Sequence, residues 1–325
     1  MTDFDGGPVK LSVVIPTYNR RAQLHRVLVA LAAQTATRFE VIVIADGSTD
    51  GTAEYLNSRQ VPLGIKVVLQ SNAGPAAARN KGVLCARGEI VLFLDDDVVP
   101  AHDLVARHIA AQESALHESV VIGPMLDPTG FKMSPWVAWE QHQLQKQYVA
   151  LISHDYEPTF RQFYTGNASV PRDALIRAGL FDTGLRRAED VELAFRLHQL
   201  GLGFTFEPEA KGYHYAVRSF DSWLNNAREY GLNDIGFLKL GQQWLNGALK
   251  GEFASRRPLV RVLAVHVSTR PRIRSVATRL LSRLAMKFVV QPVQRQVLSV
   301  LYSVSYYGGI YDALGSRLSF LEMMR

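Results

Sequence analysis

The chain has 325 residues, 47% hydrophobic and 20% charged, the balance of a soluble globular protein able to hold one large domain and an appendage. A single cysteine, Cys85, excludes an intramolecular disulfide and a cysteine-based zinc cluster, and fits a reducing cytoplasm. No apolar run reaches the roughly 18 residues of a membrane span. The acidic start, Met1-Thr-Asp-Phe-Asp5, lacks the apolar core of a secretory signal. The net charge of +6 is uneven: Phe253 to Tyr311 holds ten Lys or Arg and no acid, which leaves the remainder mildly acidic. Such a segment calls for an anionic partner, whether membrane lipid, nucleic acid or an acidic glycan.

In chain order, Leu11–Ile15 reads as a buried strand stopped by Pro16, followed by a helix from about Arg20 to Gln34 with Leu24, Val27, Leu28 and Leu31 on one face. Glu40–Ala45 is a second strand, and Asp46-Gly-Ser-Thr-Asp50 a turn in which Asp50 caps the next helix. Ile65–Leu69 is a third strand. Gly74-Pro75 opens a helix with proline in a permitted early position. Glu89–Leu94 is the fourth strand. This βαβαβαβ order predicts an α/β fold, a parallel sheet with helices on both faces. Further on, Phe131–Gln147 reads as an aromatic helix, Phe163–Val170 as a strand, Arg187–Gly201 as a helix and Phe204–Phe206 as a short strand. Beyond Ser219 the pattern is helical throughout, so the predicted domains are 1–218 and 219–325.

Ligands of such sheets bind beyond the carboxyl ends of the strands. Those ends carry Thr17-Tyr18-Asn19, Asp46, Asn72 and Asp95-Asp96-Asp97. Three adjacent carboxylates after an apolar run repel one another and call for a positive partner. Hard oxygen ligands suit Mg²⁺ or Mn²⁺, ions that commonly accompany a diphosphate; a solvated loop end is the plainer reading. Neither a Gly-x-Gly-x-x-Gly after the first strand nor a P-loop is present.

Taken together, Ser12-Val-Val-Ile-Pro-Thr-Tyr-Asn-Arg20, Ala45-Asp-Gly-Ser-Thr-Asp50, Asn72-Ala-Gly, Ala78-Arg-Asn80 and Leu94-Asp-Asp-Asp97 resemble family 2 glycosyltransferases. Thr165-Gly-Asn-Ala-Ser169, Gly179-Leu-Phe-Asp182 and Ala188-Glu-Asp-Val-Glu-Leu193 continue the resemblance in order, over about two thirds of the chain. It implies a GT-A type, Rossmann-like nucleotide-binding sheet with flanking helices, here followed by a C-terminal helical region. It also implies an inverting, hexosyltransferase-type enzyme that moves a sugar from a nucleotide-diphosphate donor to an acceptor hydroxyl. By the resemblance, Thr17 and Tyr18 line the base pocket, Asp46 bonds the base, and Pro16, Asn19 and Asn72 take part in binding the nucleotide-sugar. Asp96 faces the ribose or sugar, Asp95 and Glu189 also take part in binding the nucleotide-sugar, Asp97 and His214 hold Mn²⁺ or Mg²⁺, and Asp190 is the catalytic base. Gly166 and Asn167 approach the sugar or acceptor, with turn formation as their plainer role. Arg79 meets either the diphosphate or a neighbouring carboxylate. Glu192 reads as a solvated first-turn acid. Inversion is a direct displacement that needs one carboxylate to take the acceptor's proton and a cation to neutralise the departing diphosphate.

One departure is Ala45, where the family commonly has a first acid; Asp46 is retained. The Gln-x-x-Arg-Trp segment of processive members is absent, Gln242-Gln-Trp244 lacking the arginine, which implies transfer of a single sugar. Uracil and thymine offer the same edge to an aspartate, so UDP and dTDP donors are favoured. A sugar-phosphate nucleotidyltransferase is the alternative enzyme, but it expects a glycine- and arginine-rich loop where Pro16-Thr-Tyr-Asn19 stands. A degenerate glycosyltransferase serving as a membrane or partner-binding module is the non-enzymatic alternative.

In the basic region, Arg279, Arg283 and Lys287 recur every four residues, with Leu280, Leu284 and Phe288 one step round the helix. Residues 256–295 therefore suit an anionic bilayer surface, or else pack on the protein with a solvated basic edge. Nucleic acid is disfavoured because aromatics do not interleave with the basic cluster. The expectation is a cytoplasmic protein, peripheral on the inner membrane face, acting on a polysaccharide or lipid-linked acceptor.

Overall fold

A computed structural model describes residues 8–58, 60–185, 187–239, 244–287 and 291–324. The acidic start, Gln242, Gln243 and Phe288 lie outside the described residues. The chain forms two compact units, Met1–Lys132 with Gln141–Ala216, and Met133–Glu140 with Val217–Arg325.

In the first unit the strands are β1 (Leu11–Thr17), β2 (Phe39–Asp46), β3 (Lys66–Gln70), β4 (Ile90–Leu94), β5 (Val98–Pro100), β6 (Ser119–Ile122), β7 (Met125–Leu126), β8 (Asn167–Pro171), β9 (Gly203–Phe206) and β10 (Gly212–His214). Its helices are α1 (Arg21–Ala32), α2 (Thr52–Leu56), α3 (Pro75–Cys85), α4 (Leu104–Ser114), α5 (Pro135–Ile152, shared with the second unit), α6 (Arg172–Arg177) and α7 (Glu189–Gln199). A seven-stranded sheet runs β3-β2-β1-β4-β8-β6-β9, and a small sheet runs β5-β10-β7. The four N-terminal strands are parallel, as the alternation predicts. β8 then enters antiparallel to both β4 and β6, so the sheet is mixed. Its register pairs Asn167 with Leu94, so β8 starts at the rim where β4 ends.

Pro16 does not stop β1. The strand continues against β2 to Thr17, whereas pairing with β4 ends at Val14, so the missing N–H of proline falls where only one neighbour remains. The predicted strand Phe163–Val170 is shortened to Asn167–Pro171, because Phe160–Gln162 forms a 3₁₀ turn capped by Thr159. The core is continuous: the inward side of α1 (Leu24, Val27, Leu28 and Leu31) packs with β1, β2 and β4 residues that are essentially sealed from solvent.

The second unit is helical: α8 (Phe220–Lys239), α9 (Trp244–Ser255), α10 (Pro258–Leu263), α11 (Pro271–Lys287), α12 (Gln291–Leu314) and α13 (Arg317–Met324). α8 and α12 approach closely through glycine. A Cβ on Gly231 would lie 2.1 Å from the Tyr306 carbonyl oxygen, and one on Gly309 2.0 Å from that of Arg228. Trp139, Trp223, Ala285, Leu298 and Leu301 form its core. Asp312 accepts hydrogen bonds from Arg228 and Arg274 and so ties α8, α11 and α12 together. No helix among the described residues is long and apolar enough to cross a membrane.

One buried group makes the first unit acid-sensitive. His108 on α4 is sealed from solvent, with Nε2 2.9 Å from Asn167 Oδ1 and Nδ1 3.0 Å from Ser169 Oγ. Burial pushes its pKa down to about 4, against the hydrogen bond that Nε2 donates to Asn167 Oδ1. The unfolded chain takes up this proton near pH 6.5, while the folded chain refuses it until about pH 4. Stability therefore falls as the pH drops through that window, by up to about 3 kcal/mol from this group. Denaturant unfolding at pH 7 and at lower pH should show a steeper acid loss for the wild type than for His108→Gln, even if the variant is weaker at pH 7. Parallel losses would remove His108 as the cause.

Candidate active site

The site grows from the end of β4. All five residues of that strand are buried, and Asp95, Asp96 and Asp97 follow before β5 begins. β10 runs antiparallel to β5 with His214 opposite Val98, which brings the imidazole beside Asp97. His214 Nε2 lies 3.5 Å from Asp97 Oδ1, and the Tyr215 N–H donates to the Asp97 carbonyl at 2.8 Å. From the loop after β1, Arg20 Nη1 reaches Asp97 Oδ2 at 2.5 Å and Asp96 Oδ1 at 3.1 Å. The Thr17 hydroxyl donates to Asp96 Oδ2 at 2.7 Å. Desolvation pushes the Asp96 carboxyl up to about 7, against the pull of Arg20 and Thr17.

Asp97 and His214 fit a divalent cation. They offer a carboxylate oxygen and an imidazole nitrogen 3.5 Å apart, and His214 Nδ1 is buried with no hydrogen-bond partner among the described residues. Among the described residues no three His, Cys, Asp or Glu side chains converge as a metal cluster. Such an ion would complete its shell with water or substrate oxygens, as Mg²⁺ usually does.

A second knot lies on the other side of the triplet. Arg79 on α3 donates to Asp95 Oδ1 at 3.0 Å and to Glu189 Oε1 at 3.2 Å, with its guanidinium 5.9 Å from the Phe181 ring centre. Of its two expected roles, the structure has the pairing with neighbouring carboxylates. It fixes the first turn of α7 to the end of β4. Asp190 follows Glu189 in that turn, and its Oδ1 accepts the Val191 N–H at 2.8 Å. Desolvation, reinforced by the Glu189 carboxylate, pushes Asp190 up to about 6. Ala188, the residue before α7, is held at φ +58°, a left-handed conformation uncommon for alanine. Glu192 is not solvated as expected. It is largely buried and bonded by Arg196 at 2.6 and 2.8 Å, and Arg196 also donates to the Ala178 and Leu180 carbonyls. That i,i+4 pair anchors α7 to the preceding turn.

The loops after β1 and β2 are tied together. Asn19, at φ +53°, accepts the Thr49 N–H at 2.7 Å through its side chain and donates its own N–H to Ser48 Oγ at 3.0 Å. Asp46 accepts hydrogen bonds from Gln70 Nε2 (2.7 Å) and from the backbone N–H groups of Ala73 (2.8 Å) and Gly74 (2.9 Å). Asn72 donates to the Asp46 carbonyl at 3.0 Å. Gly47 has φ +75°, and a Cβ there would lie 2.7 Å from the Asn72 nitrogen, so this crossing requires glycine. Asp50 behaves as the expected cap, accepting the N–H groups of Arg21 and Thr52 at the starts of α1 and α2. Tyr18, half-exposed, follows the end of β1 directly.

Gly166 lies against the triplet: a Cβ there would meet Met125 Sδ at 2.5 Å and Asp95 Oδ2 at 3.2 Å. Asn167, expected at the sugar or acceptor, is instead 0% exposed. Its amide donates to the Pro124 and Ala210 carbonyls, and its oxygen meets His108 Nε2. Its side chain is thus fully spent inside the sheet, because β8 turns it toward the interior. Arg20 is the residue that sequence reasoning passed over as a site residue. The signal was present, since three adjacent acids demand a cation and Arg20 directly follows Asn19.

The family model described as glycosyl transferase family 2 matches residues 12–176. The uncharacterized glycosyltransferase YfnE of Bacillus subtilis (strain 168) is 31% identical over 257 residues, taking in 63% of this chain and 64% of that protein. Validoxylamine A glucosyltransferase of Streptomyces hygroscopicus subsp. jinggangensis (strain 5008) is 35% identical over 230 residues, taking in 62% of this chain and 54% of its own. The chain thus spans less than two thirds of these relatives' length. Among solved structures, the mannosyltransferase PcManGT from Pyrobaculum calidifontis, in complex with GDP-Man and Mn²⁺, aligns with a TM-score of 0.61 at 19% identity over 94% of this chain and 90% of that one. S. aureus TarS 1–349 in complex with UDP aligns at 0.54 and 19%, with the same coverages. At these identities the structural likeness speaks to the fold alone. With a family match over half its length and a GT-A type sheet carrying the motifs at its rim, the chain belongs to glycosyl transferase family 2.

Proposed function

We propose that this protein is an inverting, metal-dependent, non-processive glycosyltransferase. It moves one sugar from a nucleotide-diphosphate donor, UDP or dTDP favoured, to a hydroxyl of a glycan or lipid-linked acceptor at the inner membrane face. In this reading residues 1–218 are the catalytic domain and 219–325 a helical appendage. The observation that supports it best is Asp190, a carboxyl pushed up to about 6 in a helix turn that Arg79 bonds to the acid triplet. A base of that pKa is ionised at neutral pH and is a stronger proton acceptor than an ordinary aspartate.

Each residue then has a defined task. Asp190 takes the proton of the attacking hydroxyl as the new bond forms at the anomeric carbon. Arg79 and Glu189 hold it in register. Asp97 and His214 would hold Mn²⁺ or Mg²⁺, and the ion would supply positive charge to offset that of a departing diphosphate. Thr17 lines the base pocket and donates to Asp96, which faces the ribose or sugar. Tyr18, on the exposed side of the loop, stacks on the base. Among the described residues Asp46 Oδ2 accepts only the Gly74 N–H, which leaves acceptor capacity for the imide N–H of uracil or thymine. Gly166 leaves space beside Asp95 where a side chain would obstruct the sugar. The complexes of the structural relatives with UDP and with GDP-Man support a nucleotide-diphosphate donor.

The test is nucleoside-diphosphate release from UDP-, dTDP- and GDP-sugars with Mn²⁺ or Mg²⁺. Wild type should favour one donor, and Asp190→Asn should lose about 10²–10⁴-fold in rate while still binding nucleotide. The wild-type rate should fall tenfold per pH unit below about pH 6, where the base becomes protonated. Because the fold disfavours the ionised Asp190, Asp190→Asn should be no less stable at pH 8 than wild type. Wild-type turnover in Asp190→Asn would reject the assignment, and a dead wild type that still binds nucleotide would favour a degenerate module.

Arg20 yields a separate expectation. Its guanidinium occupies Asp97 Oδ2 and Asp96 Oδ1, so it competes with a cation for the same charge. Arg20→Gln should bind Mn²⁺ more tightly in the absence of nucleotide, by several-fold to about tenfold, as read by electron paramagnetic resonance. Unchanged or weaker Mn²⁺ binding would mean that Arg20 helps to assemble the site.

A further inference from the structure

α11 separates its basic residues into two kinds. Arg274 turns inward, donating to both Asp312 oxygens at 2.9 Å and to the Ser268 carbonyl at 3.1 Å. On the same inward side Ala285 is buried and Leu281 partly so, both in the tryptophan-rich core. Arg272, Arg279 and Arg283 face solvent, and among the described residues none of them pairs with a carboxylate. At 100° per residue these three fall in a strip about 40° wide along the helix.

The adjoining strip is apolar. Ile273, Val276, Leu280 and Leu284 are 46%, 49%, 55% and 42% exposed. They run over about 16 Å of helix, at a rise of 1.5 Å per residue. A helix that packs one face in a globular unit normally presents polar residues on the other. Here the outward face presents aliphatic side chains beside arginines that meet no carboxylate among the described residues, and neither α11 nor the span from Phe253 to Tyr311 contains an acid. Charge complementarity excludes a basic partner and favours a surface both anionic and apolar just beneath, the layering of a lipid bilayer.

We propose that this face of α11 docks on an anionic lipid bilayer. The helix axis lies parallel to the surface, Arg272, Arg279 and Arg283 meet lipid phosphates, and Ile273, Val276, Leu280 and Leu284 enter the upper acyl region. The proposal sharpens the membrane-surface reading of residues 256–295 and stands on α11 alone. Of the basic residues in that span it sets aside Arg274, bound to Asp312, and Arg256, bound to Glu252.

The test is co-sedimentation of the full chain with vesicles of phosphatidylcholine, alone or mixed with phosphatidylglycerol. Two double variants at exposed positions are compared, Arg279→Gln with Arg283→Gln and Leu280→Gln with Leu284→Gln. Nucleotide binding and thermal melting, both without vesicles, report that each variant is folded. Wild type should sediment with the mixed vesicles and not with phosphatidylcholine, and added salt should weaken the association. Each double variant should lose about tenfold or more in partitioning. Absence of wild-type binding, equal binding to both vesicle types, or unaltered binding of either folded variant would overturn the proposal. So would a wild-type dimer in sedimentation velocity that the leucine variant dissociates, since a second copy would then cover the face. Nucleotide-sugar turnover without vesicles is read separately, so failure here leaves the transferase reading intact, and the converse also holds.

Discussion

The acid triplet at the end of β4 is the constraint around which the first unit is organised. Three carboxylates in sequence at the mouth of a buried strand cannot remain ionised without compensation. Compensation arrives from two different elements, Arg20 from the loop after β1 to Asp96 and Asp97 and Arg79 from α3 to Asp95, while His214 of β10 brings its imidazole beside Asp97. Each contact that offsets the charge therefore also joins two elements, and the rim is shaped by the demand for neutralisation. Where compensation is incomplete the protonation equilibria move: burial lifts Asp96 to about 7, and burial with Glu189 lifts Asp190 to about 6.

The loops at this rim are held by their own polar side chains. Asp46 satisfies the N–H groups of Ala73 and Gly74 where the chain approaches α3, and Asn19 joins the β1 loop to the β2 loop. Gly47 and Gly166 are required by close approach, one to Asn72 and the other to Met125 and Asp95. Beneath the rim, Asn167 and His108 brace β8 from inside. A ligand thus meets loops whose positions are set before it arrives, which lowers the ordering cost of binding.

The second unit sorts its charges by the same logic. Arg274 and Arg228 converge on Asp312 and serve packing, while Arg272, Arg279 and Arg283 have no acidic counterpart among the described residues and remain outside. A count of basic residues treats all of them alike. Only the rotation of α11 about its axis distinguishes them.

Local signals were enough to determine part of this protein. Runs of apolar residues ending in polar ones marked β1 to β4, and their alternation with helices implied that Thr17, Asp46 and Asp95–Asp97 share one rim. The capping role of Asp50 was also legible, because its partner Thr52 is two residues away. What lay beyond reach depended on contacts between distant segments. The antiparallel entry of β8 decided that Asn167 faces inward while Gly166 faces the triplet, and no period in the sequence carries that register. Glu192 looked solvated because its i,i+4 partner Arg196 is visible in sequence but the carbonyls of Ala178 and Leu180 that fix that arginine are not. Arg20 and Arg79 both precede the acids they meet by many residues, and long flexible side chains reach whichever charge the fold brings near. The sequence by itself determined that the strand ends would bring Thr17, Asp46 and the acid triplet to one rim; the tertiary structure alone decided which other groups join them and which bond to one another, because pairing depends on distances between elements that no local pattern encodes.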